Sequence, residues 1–320
     1  MKAALYYEYG GPEVVKIGTA PKPMPKEDEV LIRVHASTVN RTDCGFRSAE
    51  YTIVRLFGGL FRPKLNILGC DFAGEIAAVG SAVSSYAPGD RVVGFEEWKF
   101  GAHAEYIIQK ANQPFTRIPD GMTYEQAAPI LEGAHYALNN LRAAGIAPGQ
   151  RWLINGGTGA IGSAAVQLAK YFGAHVTAVC AGSHRELVRS LGADDVIDYQ
   201  SEDFTRRPQR FDVVFDAVGA RTFGECKPVL TPKGIYMSTE LGPGSQNPFL
   251  ALITPFTGGR KVLFPIPTLT VEDVEFIVRL VTEGKFRPLV DRTYPLDRIV
   301  EAYAYVETRM KIGNVVLTIP

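Results

Sequence analysis

The run Arg151-Trp-Leu-Ile-Asn-Gly-Gly-Thr-Gly-Ala-Ile-Gly162 decides how the rest of the chain is interpreted. Its first part is short and apolar, which is typical of a strand buried on both faces, and 163–172 then has the period of a helix. Gly157, Gly159 and Gly162 fit G-x-G-x-x-G at the joint. The first glycine allows a tight turn, the second lets a pyrophosphate approach the backbone, and the third lets the helix pack on the strand.

The surroundings of this motif make it specific. A second predicted strand, 175–180, completes a βαβ unit of about 30 residues. We therefore predict that the helix N-terminus binds dinucleotide phosphates through its free N–H groups and its positive dipole end. The residues predicted to do so are Gly157, Thr158, Gly159, Ala160, Ile161 and Gly162.

The residues after the second strand bear on which dinucleotide binds. An NAD site places Asp or Glu about 20 residues past the glycines, on the ribose 2′-hydroxyl. The run 180–185 has no carboxylate before Glu186. Ser183, His184 and Arg185 would bond a 2′-phosphate and balance its charge, so we predict NADPH over NADH. The alternative is that these three are solvated residues in the first turn of the next helix.

The composition excludes several classes of protein. The chain has 320 residues, 46% apolar and 21% charged, with a formal net charge of zero. This length predicts two domains, and the balanced charge argues against a nucleic-acid partner. No apolar run reaches the roughly 18 residues of a membrane span, and the first residues lack the apolar core of a signal peptide. Four cysteines far apart form no C-x-x-C, so we expect a cytoplasmic protein. Because no membrane span is predicted, we also expect no membrane partner.

The chain changes character along its length. Residues 1 to about 118 are rich in short strands punctuated by Gly and Pro, which predicts a small, irregular, antiparallel β-barrel. Residues 123–147 are predicted to be helical. From 151 onward strands and helices alternate, which predicts a doubly wound parallel sheet. Its six strands are predicted at 151–155, 175–180, 195–199, 211–218, 234–239 and 260–266; helices follow at 270–283 and 297–308, and a last strand at 313–319.

The chain resembles the medium-chain dehydrogenase/reductase superfamily, in its zinc-independent quinone oxidoreductase branch. The matching segments are 39–43, 68–74, 86–94, 104–106, 155–173, 179–199, 211–219 and 313–319. The resemblance implies an α/β fold, with a Rossmann doubly wound parallel sheet plus a GroES-like irregular β-barrel domain. It implies a GroES-like catalytic domain over 1–120, an NADP-binding Rossmann domain over 121–267, and a C-terminal return to the catalytic domain over 268–320.

The resemblance also implies where cofactor and substrate meet. The active-site cleft of the barrel domain would face the nucleotide-binding domain. Tyr199 would approach the adenosine 2′-phosphate, and Val218 and Gly219 would lie near the cofactor ribose. Three positions depart from the usual residues: Tyr136 stands in place of Thr, Ser183 in place of Lys, and Asn314, a further predicted cofactor residue, in place of Lys.

Zinc-dependent relatives supply a Cys in the segment matching 37–43, a His-Glu pair at 70–71 and a third ligand near 132. This chain offers Asn40, Cys70, Asp71 and Glu132 there. Catalytic zinc needs three strong N, S or O ligands plus water, and Asn is a poor one. We therefore predict no bound metal. The argument for a metal is that Cys70 and Glu132 are both possible zinc ligands.

Without zinc the chemistry depends on the cofactor and on hydrogen-bond donors. Hydride addition to a quinone or an α,β-unsaturated carbonyl gives a delocalised oxyanion that such donors stabilise. Asn40 is the first candidate donor, with Tyr51 or Tyr136 second, and Asp43 would orient Asn40 or a backbone group. The predicted catalytic residues are Asn40, Asp43, Tyr51, Cys70, Glu132 and Tyr136; structural hydrogen bonding in the barrel is the alternative for this set.

Two segments remain. The run 51–62 is long and apolar, and either packs on the surface or forms a glycine-hinged lid over an apolar substrate. The sixth predicted strand would leave an apolar sheet edge in a monomer, with Pro265 and Pro267 limiting its extension. Relatives of this branch dimerise there, so we predict a homodimer through 260–267. The alternative is that the following helix covers the edge.

The sequence thus predicts an NADPH-dependent reductase of a quinone or enone. The alternatives are an alcohol dehydrogenase of the same superfamily, or a protein that binds NADPH without turnover, since a dinucleotide site does not itself prove catalysis.

Overall fold

A computed structural model of the chain describes residues 1–50 and 52–320, with the side chains of all of these except 52 and 53. The strands are β1 (Lys2–Leu5), β2 (Lys16–Thr19), β3 (Glu29–Val39), β4 (Asp71–Val79), β5 (Arg91–Phe95), β6 (Tyr106–Lys110), β7 (Phe115–Arg117), β8 (Arg151–Asn155), β9 (His175–Cys180), β10 (Asp195–Asp198), β11 (Phe211–Asp216), β12 (Leu230–Ser238), β13 (Lys261–Leu263), β14 (Val290–Pro295) and β15 (Asn314–Thr318). The helices are α1 (Arg41–Ser48), α2 (Thr52–Gly58), α3 (Tyr124–Ala127), α4 (Leu131–Ala143), α5 (Ala160–Tyr171), α6 (Arg185–Ser190), α7 (Phe223–Cys226), α8 (Gln246–Ile253), α9 (Val271–Thr282) and α10 (Ile299–Glu307).

The chain forms two compact units. The first unit comprises Met1–Glu132, Leu269–Thr282 and Pro288–Pro320, and the second unit comprises Gly133–Thr268 and Glu283–Arg287. The catalytic, NADP-binding and returning domains, with the bounds expected from the sequence, stay a prediction.

The second unit contains a six-stranded parallel sheet in the order β10-β9-β8-β11-β12-β13. The predicted doubly wound sheet is confirmed. Chain order reverses between β8 and β11, and the crevice at the carboxyl ends of strands on either side of such a switch is where α/β sheets bind ligands. Leu153, Val179, Val214 and Tyr236, from the four central strands, are fully buried in its core.

Proline explains two of the differences from the sequence prediction. The strand predicted at 260–266 is shortened to the three residues of β13, because Pro265 cannot donate a ladder hydrogen bond. The helix predicted over 123–147 begins with Thr123 as its N-cap, but a short 3-10 turn containing Pro129 separates α3 from α4. At the sheet edge, α8 packs against β13; it precedes that strand rather than following it.

The first unit is organised around β3, its longest strand. β3 pairs antiparallel with β4, β6 and β15, and the larger sheet runs in the order β14-β15-β3-β4-β5-β7. The last strand therefore completes the sheet that the early strands begin. Most of β3 is buried, since it lies in the middle of this sheet. The predicted irregular barrel is confirmed as the fold class of this unit. Across the described residues, no helix is both long and apolar enough to cross a bilayer.

Candidate functional site

The glycine loop lies at the carboxyl end of β8, in the second unit. The N–H groups of Gly156 and Gly157 both donate to the Val179 carbonyl, at 3.1 and 3.0 Å, which ties the loop to β9. Gly159 is the N-cap of α5, and no side chain caps this helix. Its first N–H groups are therefore available to an anion.

Each glycine of the loop has a different reason to be glycine. A Cβ on Gly162 would lie 2.0 Å from the Gly156 carbonyl oxygen, and one on Gly157 would lie 3.1 Å from Ala178 Cβ. A Cβ on Gly159 would meet only the Gly156 oxygen, at 3.6 Å, so space is left there for a ligand. Gly156 has a φ of +85°. The tight turn therefore depends on Gly156 rather than on Gly157, which corrects the sequence prediction.

The carboxyl end of β11 lies beside the carboxyl end of β8 and is bonded to it. Asn155 Nδ2 donates to Asp216 Oδ1 at 2.9 Å, which links the carboxyl ends of β8 and β11. The N–H of Val218 donates to the same oxygen at 3.3 Å, and burial raises the pKa of Asp216. Gly219 has a φ of +66°, and Val218 borders Gly156. Val218 and Gly219 thus lie beside the glycine loop.

The predicted phosphate clamp follows β9. Ser183 and Tyr199 are exposed, whereas His184 and Arg185 are half-buried. One carboxylate was missed: Asp198 pairs in register with Cys180, and a Cβ on Gly182 would lie 2.3 Å from Asp198 Oδ2. Burial raises the pKa of the Cys180 thiol, Asp198 raises it further and Arg185 lowers it, so opposite charges face this corner. The absence of an acid from 180–185 does not by itself make the site cationic.

In the first unit, Asn40 and Asp43 form a reciprocal pair at the start of α1. Asn40 Oδ1 accepts the N–H of Asp43 at 2.9 Å, and Asp43 Oδ2 accepts the N–H of Asn40 at 3.1 Å. This capping box uses the oxygen of the amide. Asn40 Nδ2 is buried and has no hydrogen-bond partner among the described residues, so the amide keeps one unused donor.

Asp43 connects this cap to two other segments. Its Oδ1 accepts the N–H of Gly69 at 2.9 Å and lies 3.9 Å from Cys70 Sγ. His103 Nε2 lies 3.9 Å from Asp43 Oδ2 and 2.7 Å from the Thr38 carbonyl oxygen. Burial raises the pKa of Asp43 to about 7 and lowers that of His103 to about 4, so the imidazole is neutral at physiological pH.

Two further carboxyls complete this cluster. Asp71 Oδ2 accepts the hydroxyl of Thr38 at 2.6 Å, while its Oδ1 has no partner among the described residues. Burial and the neighbouring Glu132 raise the pKa of Asp71 well above its usual range. Burial raises the pKa of Glu132 to about 7, although Lys311 opposes the rise. Lys311 was not found from the sequence, because nothing in its local pattern links it to Glu132.

These residues do not fit a zinc site. Asn40 Oδ1 and both Asp43 oxygens already accept N–H groups. Burial raises the pKa of the Cys70 thiol well above its usual range, whereas zinc binds the thiolate. No cluster of three or more His, Cys, Asp or Glu side chains in the described part of the chain is arranged to hold a metal ion.

The predicted catalytic residues are not all together. Asn40, Asp43, Cys70 and Glu132 belong to the first unit, whereas Tyr136 lies on α4 in the second. Tyr51 lies outside the described residues. Asn314, predicted to bind cofactor, donates its Nδ2 to the Leu289 carbonyl at 2.9 Å within the first unit. One of the two N–H donors of its amide is therefore already used.

Two family profiles match the chain. Residues 26–120 match the family described as "Alcohol dehydrogenase GroES-like domain". Residues 191–317 match the family described as "Zinc-binding dehydrogenase". The second match does not include Asn40, Cys70 or Glu132, so its description carries no information on those positions.

Named proteins are similar along nearly the whole chain. An "NADPH-dependent alkenal/one oxidoreductase, chloroplastic" of Arabidopsis thaliana is 32% identical, over 99% of this chain and 79% of the relative. A "Quinone-oxidoreductase homolog, chloroplastic" of Spinacia oleracea is 30% identical, over 99% and 98%. The solved structure of a quinone oxidoreductase from Coxiella burnetii has a TM-score of 0.89 at 27% identity, over 100% of this chain and 99% of that one. These similarities support an oxidoreductase with a nicotinamide cofactor and a small-molecule substrate.

Gly159→Ala and Gly162→Ala separate binding from folding in the glycine loop. The Gly159 variant should keep its stability and lose dinucleotide affinity by about tenfold or more, because its methyl group occupies the space left for phosphate. The Gly162 variant should lose roughly 2–4 kcal/mol of stability, since its Cβ overlaps a backbone oxygen. Urea unfolding and fluorescence titration with the reduced cofactor measure the two effects. Equal destabilisation by both changes would contradict this assignment.

Glu132→Gln tests the buried carboxyl. Its pKa rises from 4.5 unfolded to about 7 folded, so between these values the folded chain holds a proton that the unfolded chain has released. Stability due to this group therefore falls as the pH rises through that window. The free energy of unfolding of the variant should exceed that of wild type by roughly 1–2 kcal/mol at pH 8 and should be about equal to it at pH 4. The control is Glu125→Gln, an exposed carboxyl on α3; the same pH dependence in wild type and Glu132→Gln would exclude Glu132 as its source.

Proposed function

Because the chain belongs to the medium-chain dehydrogenase/reductase superfamily, in its quinone oxidoreductase-like part, we propose that it reduces a quinone or an α,β-unsaturated carbonyl with NADPH and without zinc. The observation that carries this proposal is the unused Nδ2 donor of Asn40, at a position where zinc-dependent relatives have a ligand.

Asn40 is suited to stabilise a developing oxyanion. Its oxygen is held by the Asp43 N–H, so the orientation of the amide is set before substrate arrives. Its Nδ2, which has no partner among the described residues, can donate to an anion without first breaking a hydrogen bond to any of them. Asp43 acts as a positioning residue, because its own oxygens hold the backbone of Asn40 and of Gly69.

The charge of the cluster agrees with this role. Asp43 and Glu132, with pKa values raised to about 7, are protonated in an appreciable fraction of molecules at neutral pH. Burial and the neighbouring Glu132 raise the pKa of Asp71 as well, which favours its neutral form. Neutral carboxyls do not repel a negatively charged enolate or hydroquinone oxygen, whereas ionised ones would.

The substrate class follows from the strength of this activation. NADPH, when bound, supplies the hydride. A quinone or enone spreads the resulting charge over several atoms, so one or a few hydrogen bonds suffice. A plain ketone needs stronger polarisation, of the kind a metal gives. An alcohol dehydrogenase is the alternative, and metal-dependent alcohol oxidation would favour it.

The preference for NADPH over NADH is also a proposal. Ser183, His184 and Arg185 supply donors and positive charge for a 2′-phosphate, and Tyr199 is exposed after β10. Asp198 opposes them. The preference is therefore a balance between Arg185 and Asp198.

We further propose a homodimer through 260–267. β13 is the edge strand, and beside it the second unit exposes large apolar side chains: Phe249, Leu252, Phe256 and Ile266. The N–H of Val262 donates to Thr254 Oγ1 at 2.8 Å, so strand pairing across a two-fold axis would be short and apolar contact would supply most of the burial. A cytoplasmic location stays a prediction.

Asn40→Ser tests the central claim. Serine keeps an N-cap acceptor, so the fold should be retained, but its hydroxyl does not reach as far as the amide nitrogen. We expect kcat for a quinone or enone to fall by about 10²–10³ with little change in the affinity for NADPH, the cost of one oxyanion donor. Steady-state kinetics and cofactor titration give the two numbers.

The same preparation tests zinc independence. Wild-type activity should survive prolonged chelation, and elemental analysis should find no stoichiometric zinc. One zinc per chain that is lost together with activity in Cys70→Ser would overturn the metal-free proposal. Full activity in Asn40→Ser would overturn the role of Asn40 as the oxyanion donor.

Arg185→Ala tests the cofactor preference. It should weaken NADPH binding by about 1.5–3 kcal/mol, the worth of a charged hydrogen bond, and leave NADH nearly unchanged. Arg189→Ala is the matched control, since Arg189 lies on the same helix and pairs with Glu186 at 3.1 Å. Wild-type protein that binds NADH as tightly as NADPH would contradict the preference.

Leu263→Lys tests the dimer. A charge on the half-buried Leu263 of the edge strand should shift the light-scattering mass from two chains towards one, because an unpaired lysine at the two-fold contact is costly. Met24→Ser, exposed in the first unit, should leave the mass unchanged. A monomeric wild type, or a fully dimeric Leu263 variant, argues against this interface.

A further inference from the structure

An apolar ridge of four side chains stands out on the first unit: Leu56, Phe57, Leu60 and Phe61, which are between 57% and 84% exposed. Exposed apolar residues scattered singly need no explanation, but four large ones within six positions do. The sequence analysis gave two hypotheses for 51–62, a packed surface loop or a lid. These exposures exclude close packing of the ridge against the chain.

The backbone that carries the ridge is held by contacts with the rest of the first unit, although the four apolar side chains are exposed. Tyr9 donates its hydroxyl to the Gly59 carbonyl at 2.7 Å, and the Arg55 guanidinium lies over the Tyr9 ring at 4.7 Å. Gly59 has a φ of +123°, and a Cβ there would lie 2.1 Å from the Arg62 carbonyl oxygen, so the sharp turn requires glycine. Val54 and Pro63 are buried on either side. The apolar side chains are therefore presented outward by a held turn.

The charged residues within the segment that carries the ridge are all cations. Between 54 and 65 the charged residues are Arg55, Arg62 and Lys64, and no acid occurs. Arg62 and Lys64 are exposed and form no ion pair within the described residues. Glu8, Glu13 and Lys16 border a surface recess together with Arg62. An apolar crest flanked by cations matches the interface of an anionic bilayer, where apolar groups enter the acyl boundary and cations meet phosphates.

We propose that this ridge docks the protein on anionic lipid surfaces. The sequence expectation of no membrane partner rested on the lack of a spanning segment, and surface contact needs no span. The inference is independent of the proposed activity, although contact with a bilayer would give the site access to lipophilic quinones dissolved in it.

Vesicle co-sedimentation of the full-length protein tests the proposal. Wild type should bind vesicles of equimolar phosphatidylcholine and phosphatidylglycerol, and bind pure phosphatidylcholine more weakly. The double variant Phe57→Ser with Phe61→Ser should bind the mixed vesicles about tenfold more weakly or worse. Arg62→Gln with Lys64→Gln should lose up to about fivefold per cation and bind both vesicle types similarly.

Met24→Ser is the matched control, since Met24 is an isolated exposed apolar side chain between Lys22 and Lys26, and its binding should equal that of wild type. All variants should bind the reduced cofactor with wild-type affinity, so that a misfolded variant is distinguishable from failed docking. A Phe61→Trp variant should show a blue shift in emission with the mixed vesicles.

Three results would overturn the proposal. The first is a wild type that binds neither vesicle type. The second is undiminished binding by the serine double variant. The third is an oligomer that the serine double variant dissociates while vesicle binding stays unchanged, which would mean that the ridge is a protein–protein contact.

Discussion

The buried carboxyl of Asp43 is the interaction on which the candidate site of the first unit depends. Its two oxygens accept N–H groups from Asn40 and Gly69, and it faces the Cys70 thiol and the His103 ring. One side chain therefore sets the start of α1 and the approach to β4. An ion left without partners in this position would be costly, and the bonds to backbone N–H groups make its burial tolerable.

The proposal of a metal-free reaction rests on the physical chemistry of this arrangement rather than on the loss of one ligand. The Asn40 oxygen already accepts the N–H of Asp43, and burial raises the pKa of the Cys70 thiol. What remains is an amide nitrogen without a partner among the described residues and a set of carboxyls whose pKa values are raised by burial. Such a site favours substrates that delocalise the charge they acquire, since hydrogen bonds alone polarise a carbonyl less than a metal does.

The second unit follows a different constraint, close backbone packing. The Gly156 carbonyl leaves no room for a side chain on Gly162, and β9 leaves little room at Gly157. Gly159 is the exception, because the protein itself does not fill the space beside it. The contrast between a glycine that the fold requires and one that a ligand requires can be measured in the structure, whereas G-x-G-x-x-G treats the three alike.

The sequence by itself determined the local elements: the glycine loop between β8 and α5, the six parallel strands, the cap at Thr123 and the early residues that build the first sheet. Period, capping residues and glycine spacing act over a few residues, so they can be read along the chain. Only the tertiary structure brought Lys311 near Glu132, set Asp198 against Gly182, and left the ridge from Leu56 to Phe61 in water. The structure also showed that β13 is shorter than predicted and that Gly156 has the positive φ at the turn of the glycine loop. These features depend on burial and on contacts between distant parts of the chain, which no local pattern encodes.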